Sequence, residues 1–180
     1  MSKIFTWIIV GLALLCLCVL NYVEFFVLHP LNGGLMSPDF RFLGYNFDDF
    51  VLWQTELGEL GSAAYINWFP NGVDKFFPAL VGLSVALLLH QTLSRFPRYG
   101  NRSVLLKCLI PVAISFPYVF FDYFENQVLL DAVRAGSNAG YGMIQFASSL
   151  TVLKASFLTI ALIILVGFWM SSLKTKAYSK

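Results

Sequence analysis

Long apolar runs separated by short polar ones organise the chain. Residues 4–23, 76–94, 108–121 and 155–173 are predominantly apolar and carry no Asp, Glu, Lys or Arg. The first, second and fourth run for 19 or 20 residues, enough to cross about 30 Å of hydrocarbon at about 1.5 Å per helical residue. The third has 14, so a span there must reach into charged neighbours. The pattern predicts four transmembrane helices, at about 4–22, 75–93, 105–128 and 146–172.

Between the first two spans lies the main extramembrane segment, 23–74. It opens with turn signals, His29-Pro30-Leu31-Asn32-Gly33-Gly34 and then Ser37-Pro38-Asp39. Asn46 next offers an N-cap, and Asp48 and Asp49 sit in the first turn, where the helix dipole favours acids. Phe50, Trp53, Leu57, Leu60 and Ala64 follow at helical spacing, with Asp49, Glu56 and Glu59 on the other side. This predicts an amphipathic helix at about 47–65. Surface helices that seek anionic headgroups are basic; this one is acidic, which favours packing on its own bundle as a roof. The second extramembrane segment, 129–145, holds Gly136, Ser137, Asn138, Gly140 and Gly142 and reads as a flexible connector.

Composition narrows the class. The 180 residues include 12 Lys or Arg and 10 Asp or Glu, which is 12% charged, with 58% apolar types; soluble domains carry about 25% charge. A fold this small has too little interior to hide so much apolar surface. A soluble enzyme, a nucleic-acid binder and a disordered tail are excluded. The fold class is therefore all-α: a polytopic membrane protein, a four-transmembrane-helix bundle with an external amphipathic helix, forming a single membrane domain over 1–180.

The charges are segregated. Lys3, Arg95, Arg98, Arg102, Lys107, Lys174, Lys176 and Lys180 flank the spans on one side, and all ten acids fall on the other. The positive-inside rule then places both termini in the cytoplasm. The first run resembles a signal peptide, but no small-x-small cleavage site follows it, so it reads as an uncleaved helix. Cys16, Cys18 and Cys108 lie within apolar spans at no disulfide or metal spacing, and read as small apolar fillers.

The charges inside the spans carry the candidate chemistry. Asp122, Glu125 and Asn126 stand at i, i+3, i+4, on one face of the third span. Asp122 lies 15 residues past Lys107, roughly 22 Å across the membrane. Lys154 in the fourth span and Asp74 at the start of the second fall at a similar height. A charge in a transmembrane helix costs roughly 2.5–3.5 kcal/mol on insertion scales, and such residues face the interior and pair. Lys154 is expected to pair with Glu125 or Asp122, leaving a surplus acid of raised proton affinity. Asp122 and Glu125 are then candidates for acid–base catalysis with Lys154 as electrostatic partner. Asp74, Asp122, Glu125, Asn126 and Lys154 are candidates for ligand binding. Beside this stand plainer readings: a pair that only fixes helix packing, a Lys154 that snorkels to water, and an Asp74 that caps a helix.

Asp122-Tyr123-Phe124-Glu125-Asn126 after a proline-containing apolar span resembles the D-Y-[LF]-E-N signature of a group of uncharacterised bacterial four-helix integral membrane proteins. Gly44-Tyr45, Leu57-Gly58, Asp74 with Phe77-Pro78, and Lys154 fit the same pattern. The resemblance covers most of the chain from about residue 44. It implies a protein of the bacterial inner (plasma) membrane and supplies no activity. The layout of one helix, a long external segment and three more helices is also similar in topology to the EXPERA-type sterol isomerase and sigma-2 receptor bundles. The charged motifs differ residue by residue.

Two readings of function lead. In the first, the charged cluster near the outer face pairs helices or binds an amphipathic ligand. In the second, a small intramembrane enzyme acts on a lipid or isoprenoid. An ion path is disfavoured, because the inner half offers only His90. The expected partners are membrane lipids and a lipid-like small molecule, with a homo-oligomer as an open alternative. No nucleic acid, cofactor or metal is expected.

Overall fold

The computed structural model describes residues 3–96, 99 and 101–177, with the backbone alone for 174–177. Arg98 and Lys180 of the basic flanks, and the side chains of Lys174 and Lys176, lie outside the described residues. The fold is all-helical: α1 (Lys3–Val23), α2 (Phe47–Trp68), α3 (Phe77–Leu93), α4 (Val104–Ala135) and α5 (Tyr141–Ala177). Four stretches are long and apolar enough to cross a membrane: Lys3–Leu28, Phe47–Leu93, Val104–Asn138 and Tyr141–Leu173. In the second of these, α3 forms the span and α2 caps one end of the bundle.

The spans are longer than the apolar runs predict. α1 continues through a π-helical turn, Glu24–Leu28, because apolar residues resume as Phe25-Phe26-Val27-Leu28 after a single acid. α4 runs to Ala135 and α5 begins at Tyr141. The expected flexible connector over 129–145 is therefore corrected to two helix ends joined by a short 3-10 turn, Gly136–Asn138. The cause is burial: Leu129, Ala132 and Val133 of α4 and Ile144 and Ala147 of α5 belong to the main core. Gly136, at φ +59°, ends α4 in a conformation that side chains resist.

That core is the roof. α2 opens with a capping box: the Asp49 N–H donates to Asn46 Oδ1 at 2.8 Å, and the Asn46 N–H donates to Asp49 Oδ2 at 3.1 Å. The buried face begins as expected with Phe50, Trp53 and Leu57. Gly58 then leaves the helical region (φ +62°, ψ −171°). Beyond it Gly61 and Tyr65 turn inward, Ala64 packs half-buried against the core as expected, and Leu60 is left 81% exposed. Trp53 and Tyr65 meet edge to face at 5.1 Å, and Tyr65 stacks on Phe69 at 5.2 Å. Leu20, Val23 and Leu28 complete the cluster from α1.

Within the membrane the bundle is thinner. α3 packs against α1, α4 and α5, and α4 packs against α5. A Cβ at Gly82 would collide with Val119 Cγ2, so this glycine lets α3 and α4 approach closely. α1 buries only a narrow stripe, Thr6, Ala13 and Leu20, before the roof. Pro111 inside α4 has no N–H to offer the carbonyl of Lys107, one turn earlier. The Tyr99 hydroxyl donates to that oxygen at 2.6 Å, and His90 Nδ1 lies 3.1 Å from it. His90 thus closes a helix end. Cys18 and Cys108 are exposed and only Cys16 is half-buried. The filler role expected of all three cysteines is corrected, because Cys18 and Cys108 fall on the outer faces of their helices.

Candidate functional site

The helical spacing of Asp122, Glu125 and Asn126 aims all three inward, and each is buried. α5 brings Lys154 to meet them. Its Nζ lies 3.1 Å from Asp122 Oδ1 and forms an ion pair with Glu125 Oε2. Thr151, one turn before Lys154, donates its hydroxyl to Glu125 Oε1. Lys154 is itself buried, so it does not snorkel to water. Tyr118, one turn before Asp122, is within hydrogen-bonding reach of it.

Asp74 is buried on a 3-10 turn, Val73–Lys75, beside the Asn126 side chain. The capping role weighed for it is corrected. α3 starts at Phe77 with Pro78 in its first turn and no side-chain cap, and a helix that opens on proline has one fewer N–H to satisfy.

Two buried acids escaped the sequence. Asp39 sits in a turn-rich segment but is 7% exposed. Tyr65 donates its hydroxyl to Asp39 Oδ2, while Oδ1 is buried without a hydrogen-bond partner. Burial pushes the Asp39 carboxyl above its ordinary range; the Lys154 charge and the Tyr65 hydrogen bond pull the other way. Glu24, fully buried on the π turn, accepts from the Ser37 N–H at 2.8 Å and the Ser37 hydroxyl at 2.5 Å. His29 Nε2 lies 3.4 Å from Glu24 Oε1. Glu24 thereby anchors the chain two residues before Asp39 and fixes where Asp39 enters the bundle. A signal for Glu24 existed in the apolar residues that follow it. For Asp39 the nearby Phe40 and Phe42 were the only hint.

Beneath this cluster lies a cavity of about 400 Å³. Asp39, Asp74, Asp122, Tyr118 and Lys154 form its end beneath the roof, and below them the wall is almost wholly apolar, with Leu17, Val81, Leu88, Leu158 and Leu165 among its residues. Lys154 to Leu165 is 11 residues along α5, so the slot runs roughly 16 Å into the membrane. Of the sequence-predicted residues, Asp74, Asp122 and Lys154 reach the cavity; Glu125 and Asn126 are not in its wall. Glu125 stands behind Lys154 and holds it from the far side. The cavity is open toward lipid: Leu14 and Leu17 of α1, Phe42 of the loop and Leu162 of α5 line it and are exposed. The narrow contact of α1 with the bundle leaves that side unsealed.

No family model, curated protein or solved structure matches the chain. The geometry is that of a chamber with one charged end, apolar walls and a side facing the acyl chains. It fits a molecule with a hydrocarbon body and one polar end.

Proposed function

We propose that this protein binds an amphipathic molecule of the lipid phase, with the apolar body in the cavity and the polar end at the Asp39–Asp74–Asp122–Lys154 cluster. The observation that carries the reading is the cavity itself: about 400 Å³ of apolar space ending in buried charge. Burying four acids for packing alone would be costly, since paired side chains of similar shape without charge hold helices as well. The location that goes with this reading is the bacterial inner membrane with both termini cytoplasmic. The segregated charges and the likeness of the Asp122–Asn126 motif to that group support it. The charged end then faces the outer leaflet, and the ligand arrives sideways between α1 and α5.

Native mass spectrometry of protein purified in mild detergent tests this. The wild type is expected to carry one lipid-like small molecule per chain. Leu158→Trp, which fills the apolar part of the cavity, is expected to lose most of it while keeping its helical content. Identical bulk phospholipid on both proteins would sink the reading.

A further inference from the structure

The cluster is unbalanced in a way that names the ligand's charge; this inference deepens the proposed binding function and rests on it. Asp39, Asp74, Asp122 and Glu125 are all buried, and the one buried cation among them is Lys154. Their charges act on one another, so they form a single group. Lys154 is already engaged by Asp122 and Glu125. The neighbouring cations do not help. Arg41 is turned to the Met36 carbonyl and to Asp49, His29 lies against Glu24, and Lys75 is exposed.

Two acids therefore face the cavity without a cation of their own, Asp39 and Asp74. The Asp39 Oδ1 atom is the sharper sign. It is buried and unpartnered on a carboxyl whose other oxygen is satisfied, and a native structure rarely leaves such an acceptor empty. An anionic head placed here would lie in a cavity end lined by the carboxyls of Asp39, Asp74 and Asp122, with Lys154 already engaged. A hydroxyl would donate one hydrogen bond and bring no charge. A metal ion is a poor fit, because among the described residues no three His, Cys, Asp or Glu side chains converge where one could sit. An ammonium group brings several donors and a positive charge that favours the ionised form of both carboxyls, and a hydrocarbon tail suits the wall below.

We propose that the cavity takes a cationic amphiphile, a protonated amine on a hydrocarbon tail, with Asp39 and Asp74 receiving the ammonium group. Asp122 and Lys154 form the back of the site, and the tail follows the apolar slot between α1, α3 and α5.

The test uses full-length protein in zwitterionic phospholipid nanodiscs, with empty nanodiscs subtracted. Dodecylamine, dodecanol and dodecanoate share a tail and differ in head. Dodecylamine is expected to bind at least about tenfold tighter than dodecanol, with dodecanoate weakest, as a charge-assisted hydrogen bond requires. Asp39→Asn and Asp74→Asn are each expected to weaken dodecylamine about tenfold and dodecanol by much less, since only the amine loses a charge interaction. Asparagine can still accept the Tyr65 hydrogen bond, so Asp39→Asn keeps the fold. Dodecanoate binding tightest, or three equal affinities, would overturn the cationic assignment. So would amine binding that neither variant alters. If no probe binds yet Leu158→Trp still strips a co-purified molecule, the cationic assignment fails and the cavity reading stands. If Leu158→Trp strips nothing either, both fail.

Discussion

Lys154→Met is expected to cost the bundle about 3–5 kcal/mol, because it leaves buried carboxyls without their cation. Asp122 is 2% exposed and Glu125 fully buried, and both turn to the Lys154 ammonium. Methionine matches the length of the lysine stem and removes only the charge and its donors. The triple change Lys154→Met, Asp122→Asn, Glu125→Gln is expected to recover most of the loss, since neutral amides need no counter-charge and Thr151 can still donate to residue 125. Equilibrium unfolding in mixed micelles, followed by helical circular dichroism, measures both. A single variant as stable as the wild type would show that the ion pairs contribute nothing. A triple variant no better than the single would place the loss in packing.

Trp53→Ala is the second large effect, at about 3–5 kcal/mol for removing a fully buried aromatic side chain. Trp53 sits at the centre of the roof with its ring 5.7 Å from Phe50 and 5.1 Å from Tyr65. Tyr65 in turn holds Asp39. The change is therefore expected to loosen the roof end of the cavity more than the spans. Hydrogen exchange gives the readout: amides of 37–45 should lose protection while those of α3 keep theirs. An even loss along the chain would mean that roof and spans unfold as one unit.

What the sequence made legible follows from two strong physical rules. Hydrocarbon demands long apolar helices, so all four spans were readable, and the high cost of charge there singled out Asp122, Glu125 and Lys154 as neighbours. What stayed hidden depended on contacts far apart in sequence. Asp39 lies among prolines and glycines that mark a turn, and turns are normally wet; only the Tyr65 hydroxyl and the anchored Ser37 make it an interior group. Leu60 follows an unbroken helical period, yet Gly58 leaves the helical region two residues earlier, and Gly61 is buried where Leu60 was expected. Asp74 has the look of a cap, but the helix begins three residues later, at Phe77. At the same end of the bundle, three glycines suggested slack chain where the helix ends of α4 and α5 pack into the roof core with α2. Glu125 was read as a partner of Asp122 in one site. The cavity wall separates them, with Asp122 inside it and Glu125 behind the lysine.

The roof draws on both ends of the chain. Leu20 and Val23 come from the first helix, while Ile144, Ala147 and the Ser148 hydroxyl that accepts from the Tyr45 N–H come from the last. A ribosome delivers these parts in order, so the segment from Glu24 to Phe76 is made long before α5 exists. During that interval Trp53, Phe50 and Tyr65 have no finished core to enter, and Asp39 has no lysine nearby. The chamber is therefore assembled by the last helix to be inserted. A chain halted before Tyr141 would carry the spans α1, α3 and α4 but no complete cavity, and its aromatic roof would lack Ile144 and Ala147.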